Sequence, residues 1–334
     1  MNQQNETNKP IPEPSRSYKS NGKLLITGEY VVLDGAVALA VPTRYGQSLN
    51  TYSIESPLIQ WTSFDNSNNI WLQAKFNLND IDVKAIDKIS INTPQSRLLH
   101  ILSTAKSLNP KFLSDNFGYG IKTYLDFPNK WGLGTSSTLI NNIAQWANVD
   151  PFKLLELTFG GSGYDIACAQ YNTAITYQIL NNEILADNTL SPDIPNEDRS
   201  VTPVEFNPDF KHQLYFVYLN KKQNSRDGIA HYKTLKGDIK PVILEINSIT
   251  DRILKCKDLN EFKILIEKHE SIISKLTQQE TAKSIFFNDF DGAIKSLGAW
   301  GGDFVLVASE YNPAAYFKSK GFDTVVPYSN MVLT

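Results

Sequence analysis

Residues 131–137, Trp131-Gly132-Leu133-Gly134-Thr135-Ser136-Ser137, run directly into Thr138-Leu139-Ile140-Asn141-Asn142-Ile143-Ala144-Gln145-Trp146-Ala147. Leu139, Ile140, Ile143, Ala144 and Ala147 recur at helical spacing, so this loop is predicted to open an amphipathic helix. Glycines let a backbone adopt positive φ and approach a ligand closely. The unpaired N–H groups of the helix N-terminus and the positive end of its dipole then face whatever is bound. Hydroxyls at Thr135, Ser136 and Ser137 can donate to phosphate oxygens or ligate Mg²⁺. The segment is chemically an anion cradle, although a serine-capped helix with a glycine turn uses the same residues. It is neither a G-x-x-x-x-G-K-[ST] loop nor a G-x-G-x-x-G dinucleotide fingerprint, which would need Gly at position 137.

Outward from this loop, strands and helices mix without regular βαβ alternation, which indicates an α+β fold. Residues 1–17 are polar, carry three prolines and read as a disordered tail. Lys23–Leu33 reads as two strands meeting at Gly28-Glu29. Leu58–Phe64 and Ile70–Phe76 flank a turn-rich pentapeptide and read as a hairpin. Thr93-Pro94 opens a helix to about Leu108, and Gly120–Leu125 reads as a strand. Asp150-Pro151 starts a short helix ended by Gly160-Gly161, and Thr173–Leu180 is a strand. Residues 181–209 are loop-rich, and a long surface excursion or a domain junction is expected there, the domains being divided as 18–185 and 186–334. Beyond it, His212–Leu219 is a strand, 225–276 is mainly helical, and Asp291–Ser296 reads as a helix end. Phe304–Ala308 is a strand, Pro313–Lys320 a helix and Thr324–Val326 a last strand.

Three further segments carry chemistry. In Gly160-Gly161-Ser162-Gly163-Tyr164-Asp165, a carboxylate follows a flexible run and can accept a proton or cap the turn after it. Leu297-Gly298-Ala299-Trp300-Gly301-Gly302-Asp303 permits close backbone approach, to a ligand or to another element. Lys23, at the start of an apolar strand, calls for an anionic partner or a route for its ammonium to water.

Composition excludes other classes. The chain has 334 residues, 41% of them hydrophobic and 20% charged, which is a globular composition. Lys and Arg number 32 against 35 Asp and Glu, a net charge of −3 without the basic surplus of a nucleic-acid binder. Two cysteines and four histidines offer neither a disulfide framework nor zinc spacing. No signal pattern or membrane-length apolar run is present, so a cytoplasmic protein without membrane or nucleic-acid partners is expected.

In order and spacing over residues 20–326, the four segments resemble the motifs of the GHMP kinases, named for galactose, homoserine, mevalonate and phosphomevalonate. GKLLITGEYVVLDG resembles the family's first motif, WGLGTSS its phosphate loop and GAWGGD its third motif, while GSGYDIACAQY is most similar to the phosphomevalonate kinase branch. The resemblance implies an N-terminal ribosomal-protein-S5-like domain and a C-terminal ferredoxin-like domain with the active site between them. It implies ATP and Mg²⁺ as cofactors, a small-molecule acceptor and a monomer or homodimer. Gly132, Leu133, Gly134, Thr135, Ser136 and Ser137 would hold the triphosphate, with Ser136 on the metal, and Asp165 and Lys23 would be catalytic. Lys23, Ser162, Gly163, Tyr164, Gly298, Ala299, Gly301, Gly302, Ser225 and Arg226 would bind the acceptor, with Lys221 and Lys222 nearby. Phosphomevalonate is the first acceptor implied; mevalonate or another acceptor of the family, or a non-catalytic nucleotide-binding relative, are the alternatives. Trp300 stands where the third motif usually has glycine and could close part of the acceptor pocket. Leu154 stands where mevalonate kinases carry a metal-binding Glu, with Glu156 the nearest acid.

Overall fold

The computed structural model describes residues 13–81, 86, 89–115, 117–180, 198–235, 237–298, 300 and 302–334. Two sheets organise it. In the first, β1 (Arg16–Leu25) pairs antiparallel with β2 (Ala38–Ile54), a 17-residue strand that also carries β5 (Gly118–Leu125) and β6 (Ile175–Ile179). The hairpin β3 (Leu58–Phe64) and β4 (Ile70–Asn77) joins through a parallel β3–β5 pairing, and β7 (Arg199–Pro203) extends the other end. The second sheet is antiparallel and has the order β11 (Val325–Pro327), β8 (Leu214–Tyr218), β10 (Phe304–Ala308), β9 (Ala293–Leu297).

The helices begin where local chemistry tells them to. In α1 (Pro94–Leu108), Thr93 Oγ1 accepts the Ser96 N–H at 3.1 Å and Pro94 occupies the first turn. In α3 (Pro151–Thr158), Asp150 accepts the Phe152 N–H at 2.8 Å. Between them, α2 (Thr135–Ala147) packs across β1 and β2, and α4 (Tyr164–Gln170) packs against β1. The helices α5 (Ser225–Thr234), α6 (Lys240–Lys255), α7 (Leu259–Thr277), α8 (Ala282–Phe286), α9 (Ala314–Ser319) and α10 (Tyr328–Met331) follow β8 in sequence, α7 packing on β9 and β10 and α6 on β2.

The α+β class holds, and several local expectations change. Residues 30–33 do not form a strand. Ile26 and Thr27 both donate to Leu39 O, Tyr30 takes φ 65°, and Val31–Asp34 winds into a 3₁₀ turn. Residues 291–296 are not a helix end. Ala293–Leu297 pairs with β10 and is buried throughout. Ile294 and Leu297 mimic helical spacing, while Lys295 and Ser296 hide the strand because their polar groups are satisfied inside the protein. The first strand begins at Arg16, inside the segment read as a tail, because residues 16–21 pair with 46–51 of β2. β7 lies within the loop-rich stretch, and the expected junction near 185 falls outside the described residues. No helix among the described residues is long and apolar enough to cross a membrane.

Candidate functional site

The loop before α2 is anchored on both sides. Lys23 N donates to Leu133 O at 3.0 Å, and Leu133 is buried in the main core. Trp131 packs edge-on against Tyr45 and Phe304, each with centroids 5.4 Å apart, and Tyr218 Oη donates to Lys130 O at 3.0 Å. The loop is thereby fixed to β1 on one side and to the second sheet on the other. Gly132 has φ 68°, and a Cβ there would collide with the Asp303 carboxylate. Gly134 has φ 96°, and a Cβ there would lie 2.7 Å from Ser137 Oγ and 3.4 Å from Lys23 Cγ. Both glycines are required by backbone shape and by what packs on them.

A cavity of about 850 Å³ opens over this loop. Lys23, Gly132, Gly134, Thr135, Ser136 and Ser137 line one part of it, and Ser162, Tyr164, Asp165, Ser225, Arg226 and Gly298 line the rest. The structure thus brings together most of the residues singled out from sequence. Leu133 is a core side chain instead, because it fills the space between the loop and the second sheet. Gly163 and Gly302 lie off the cavity wall. Gly163 packs against Phe152 and the Tyr177 hydroxyl, and Gly302 packs against Gln223. Ala299 and Gly301 lie outside the described residues. Lys222 and Asp303 join the wall, whereas Lys221 does not.

Lys23 is half-buried, with Nζ donating to Gly132 O at 3.1 Å and standing 5.6 Å from the Tyr164 ring centre. Burial alone would lower its pKa, but Tyr164, Asp303 and Asp165 raise it overall. Burial pushes the Tyr164 phenol up to about 12. Tyr164 is therefore neutral at pH 7 and acts on Lys23 as a hydrogen-bond partner. Asp165 sits in the first turn of α4, accepts the Ile166 N–H at 3.0 Å and has the Ser137 hydroxyl beside it. Burial raises its pKa, against the pull of Lys23. Ser137 Oγ also lies 2.9 Å from Gly134 O, and Thr135 Oγ1 lies 3.4 Å from Asn129 Oδ1. Ser136 is exposed at the cavity wall, the hydroxyl of this loop left without a protein partner among the described residues.

Two residues named from sequence are elsewhere. Trp300 is 7% exposed, with Nε1 donating to Glu280 O at 2.9 Å, so its indole is a core group and does not close the cavity. Leu154 is fully buried, and the exposed Glu156 pairs with Lys153 at 2.9 Å. Neither brings a group to the cavity.

Phe159 and Arg226 line the far end of the cavity, and the Phe159 ring has two guanidinium carbons each 5.1 Å from its centre: Arg226 from α5 and, off the cavity wall, Arg97 from α1. Burial and then Arg226 lower the Arg97 pKa, and neither arginine has a carboxylate partner among the described residues. Both guanidinium groups stack on the ring and stay at least partly open to solvent, free to pair with an anion. Arg97 escaped the sequence reading because nothing local distinguishes it on its helix.

Below the cavity lies a buried ionic cluster. Glu29, 1% exposed, pairs with the fully buried Lys295, whose Nζ also donates to Ser296 O at 2.9 Å. Glu270 accepts from Ser296 N and Oγ at 2.9 and 2.8 Å. His269 Nε2 is 3.4 Å from Glu29, but it accepts the Gly28 N–H at 2.9 Å. That nitrogen carries no proton. Burial, then Lys295, holds the imidazole neutral, so this contact is not an ion pair.

Burial pushes Glu270 up to about 7. The folded protein therefore keeps this proton to higher pH than the unfolded chain does. The associated stability is full below the ordinary carboxylate range and is lost as pH rises to about 7. Glu270→Gln, which can accept from Ser296 N and donate to Ser296 Oγ, escapes that loss. Relative to wild type it should gain on the order of 3 kcal/mol between pH 4.5 and 7.5, read from urea unfolding at a series of pH values.

No protein-family sequence model matches the chain, and a comparison with curated protein sequences finds no match. Solved structures do match. A Methanococcus jannaschii mevalonate kinase is 17% identical and superposes with TM-score 0.66, covering 95% of this chain and 97% of that one. This is the GHMP kinase fold. A Streptococcus pneumoniae phosphomevalonate kinase, in complex with phosphomevalonate and AMPPNP, gives TM-score 0.62 at 16% identity, covering 91% and 95%. A Lactococcus lactis galactokinase complexed with galactose gives TM-score 0.62 at 12% identity, covering 91% and 88%. The GHMP kinase fold thus spans nearly the whole chain at identities that leave the acceptor open.

Proposed function

We propose that the protein is an ATP-dependent kinase for a small acceptor that already carries an anionic group, phosphomevalonate first among them. The observation that carries this reading is the convergence, on one cavity, of a glycine-hydroxyl helix terminus with Lys23 and Asp165. The kinases that share the fold support it, one of them holding AMPPNP and phosphomevalonate together. The Arg97–Phe159–Arg226 cluster supports an anionic acceptor over a neutral sugar, and mevalonate, itself a carboxylate, stands second to phosphomevalonate.

Phosphoryl transfer rests mainly on positioning and charge stabilisation. The N–H groups of the first turn of α2 cradle the triphosphate, with Gly132 and Gly134 letting it approach. Lys23 is held beside Gly132 O and Asp165, from where its ammonium offsets charge on the group in transit. Asp165 lies beside the acceptor oxygen. A phosphate oxygen is already anionic near neutral pH and needs no base, so Asp165 acts on it through the Lys23 ammonium rather than by deprotonating it. Arg97 and Arg226 hold the acceptor's anionic end.

The donor set suits Mg²⁺, since hydroxyl and carboxylate oxygens are its preferred ligands. No group of three or more His, Cys, Asp or Glu among the described residues could hold a metal unaided. The protein therefore supplies few ligands, Ser136 among them, and the nucleotide phosphates supply others. Bound with the nucleotide, Mg²⁺ adds positive charge at the phosphate oxygens.

ADP release across phosphomevalonate, mevalonate, homoserine and galactose tests the reading. Turnover should be highest with phosphomevalonate. Arg97→Ala and Arg226→Ala should each raise its KM by about 10- to 100-fold, as expected for a lost charged hydrogen bond, and leave the KM for ATP within about twofold. Turnover confined to mevalonate or galactose would overturn the acceptor, and no turnover with any of them would favour a non-catalytic nucleotide-binding protein.

A further inference from the structure

Asp303 packs its carboxylate on Gly132 of the phosphate loop, and among the described residues no ion pair neutralises it. It follows Gly302 at the start of β10 and takes φ 53°, a left-handed conformation that Asp and Asn tolerate better than most residues. Three bonds fix it there. Asp303 N donates to Lys221 O at 2.7 Å, Leu219 N donates to Asp303 O at 2.8 Å, and Gln223 N donates to Oδ1 at 3.2 Å. This clamp sets the carboxylate on Gly132 and into the cavity wall. Oδ2 accepts no hydrogen bond among the described residues.

Lys23 and Lys222 both act on Asp303 electrostatically. Neither comes within ion-pairing distance of it, because each ammonium is engaged elsewhere: Lys23 Nζ with Gly132 O at 3.1 Å, Lys222 Nζ with Asn129 O at 2.9 Å. A rigid carboxylate with one open oxygen thus borders a loop built to receive phosphates. Like charges at that separation repel unless a cation lies between them. Mg²⁺ meets this need, because it is commonly held by one or two carboxylates together with substrate phosphates. Ser136, on the same wall, offers the second protein oxygen.

We propose that Asp303, reaching across from the second sheet, is the carboxylate that binds the nucleotide's divalent cation, so that nucleotide affinity depends on the metal through this residue. The inference rests on the kinase reading above and makes the metal site a joint product of the α2 loop and β10. Without the cation, Asp303 opposes the triphosphate; with it, Asp303 holds it.

Calorimetric titration of AMPPNP, in excess Mg²⁺ and in EDTA, separates the possibilities. Wild type should bind at least tenfold tighter with Mg²⁺. Asp303→Asn keeps the Oδ1 acceptor for Gln223 N and tolerates the backbone conformation. It should lose most of the Mg²⁺ gain while binding AMPPNP in EDTA as tightly as wild type, or more tightly. In the presence of AMPPNP, Mn²⁺ binding followed by electron paramagnetic resonance should weaken at least tenfold in the same variant. Retention of the full Mg²⁺ gain, or an equal loss with and without metal, would overturn the assignment of Asp303 and leave the kinase reading standing. Failure of wild type to bind AMPPNP under either condition would overturn both. Unchanged binding in EDTA also certifies that the variant's site is folded.

Discussion

Lys23→Met should lower kcat by two to three orders of magnitude, the usual loss when one preorganised charge is removed from a transition state. Methionine keeps most of the stem that packs on Gly134 and removes the ammonium between Gly132 O and the two aspartates. The KM for ATP should change little, since the loop's N–H groups are untouched. Asp165→Asn is the informative companion. It preserves the hydrogen bond from Ile166 N but removes the capacity to take a proton. With phosphomevalonate the loss should stay near tenfold; with an alcohol acceptor it should reach 10²- to 10⁴-fold, the range for general base catalysis. Because burial raises the Asp165 pKa, an alcohol substrate should also show an acid limb in kcat/KM above the ordinary carboxylate range, absent from Asp165→Asn. Full turnover by Lys23→Met with any substrate would refute the arrangement of the site.

Short-range chemistry was legible in the sequence, and long-range chemistry was not. Thr93-Pro94 and Asp150-Pro151 mark helix starts through side chains that satisfy or replace nearby N–H groups, and the glycine run before α2 marks its start through backbone shape, Gly134 taking φ 96° with no side-chain cap. Those signals need only a few consecutive residues. The 17-residue β2 carries Pro42, Gly46 and alternating polar positions, and its continuity comes from partners as distant as β5 and β6. Lys295 misled for a related reason: a lysine suggests surface, and only Glu29, 266 positions earlier in the chain, makes its burial tolerable. Asp303 and Arg97 belong to the same group. Each matters because of what another element brings beside it, Gly132 in one case and Phe159 with Arg226 in the other. The part of the cavity wall formed by the loop before α2, built from one contiguous segment, was readable as a cluster. The opposite part, assembled from the surroundings of α1, α3, α5 and the second sheet, was readable only in part.

The largest stability effect should come from Lys295→Met. The pair Glu29–Lys295 joins the Gly28-Glu29-Tyr30 turn to β9, and both side chains are at most 1% exposed. Removing the ammonium leaves the Glu29 carboxylate enclosed with neutral His269 and with Glu270, neither of which can replace the lost charge. Breaking such a pair from one side typically costs about 3–5 kcal/mol, because the remaining charge stays buried without compensation. Urea unfolding at pH 7.5 should show that loss. The double variant Glu29→Gln/Lys295→Met should recover much of it, since a neutral amide and a thioether of similar volume tolerate burial far better than one unpaired ion. If the double variant were as unstable as the sum of the two single changes, Glu29 and Lys295 would be acting independently. The turn would then owe its position to other contacts, such as Tyr30 stacked on Tyr232 at 5.6 Å and bonded through its hydroxyl to Trp300 N at 3.0 Å. Recovery in the double variant instead identifies the buried pair as the tie between the turn that lines the cavity and the sheet that carries Asp303.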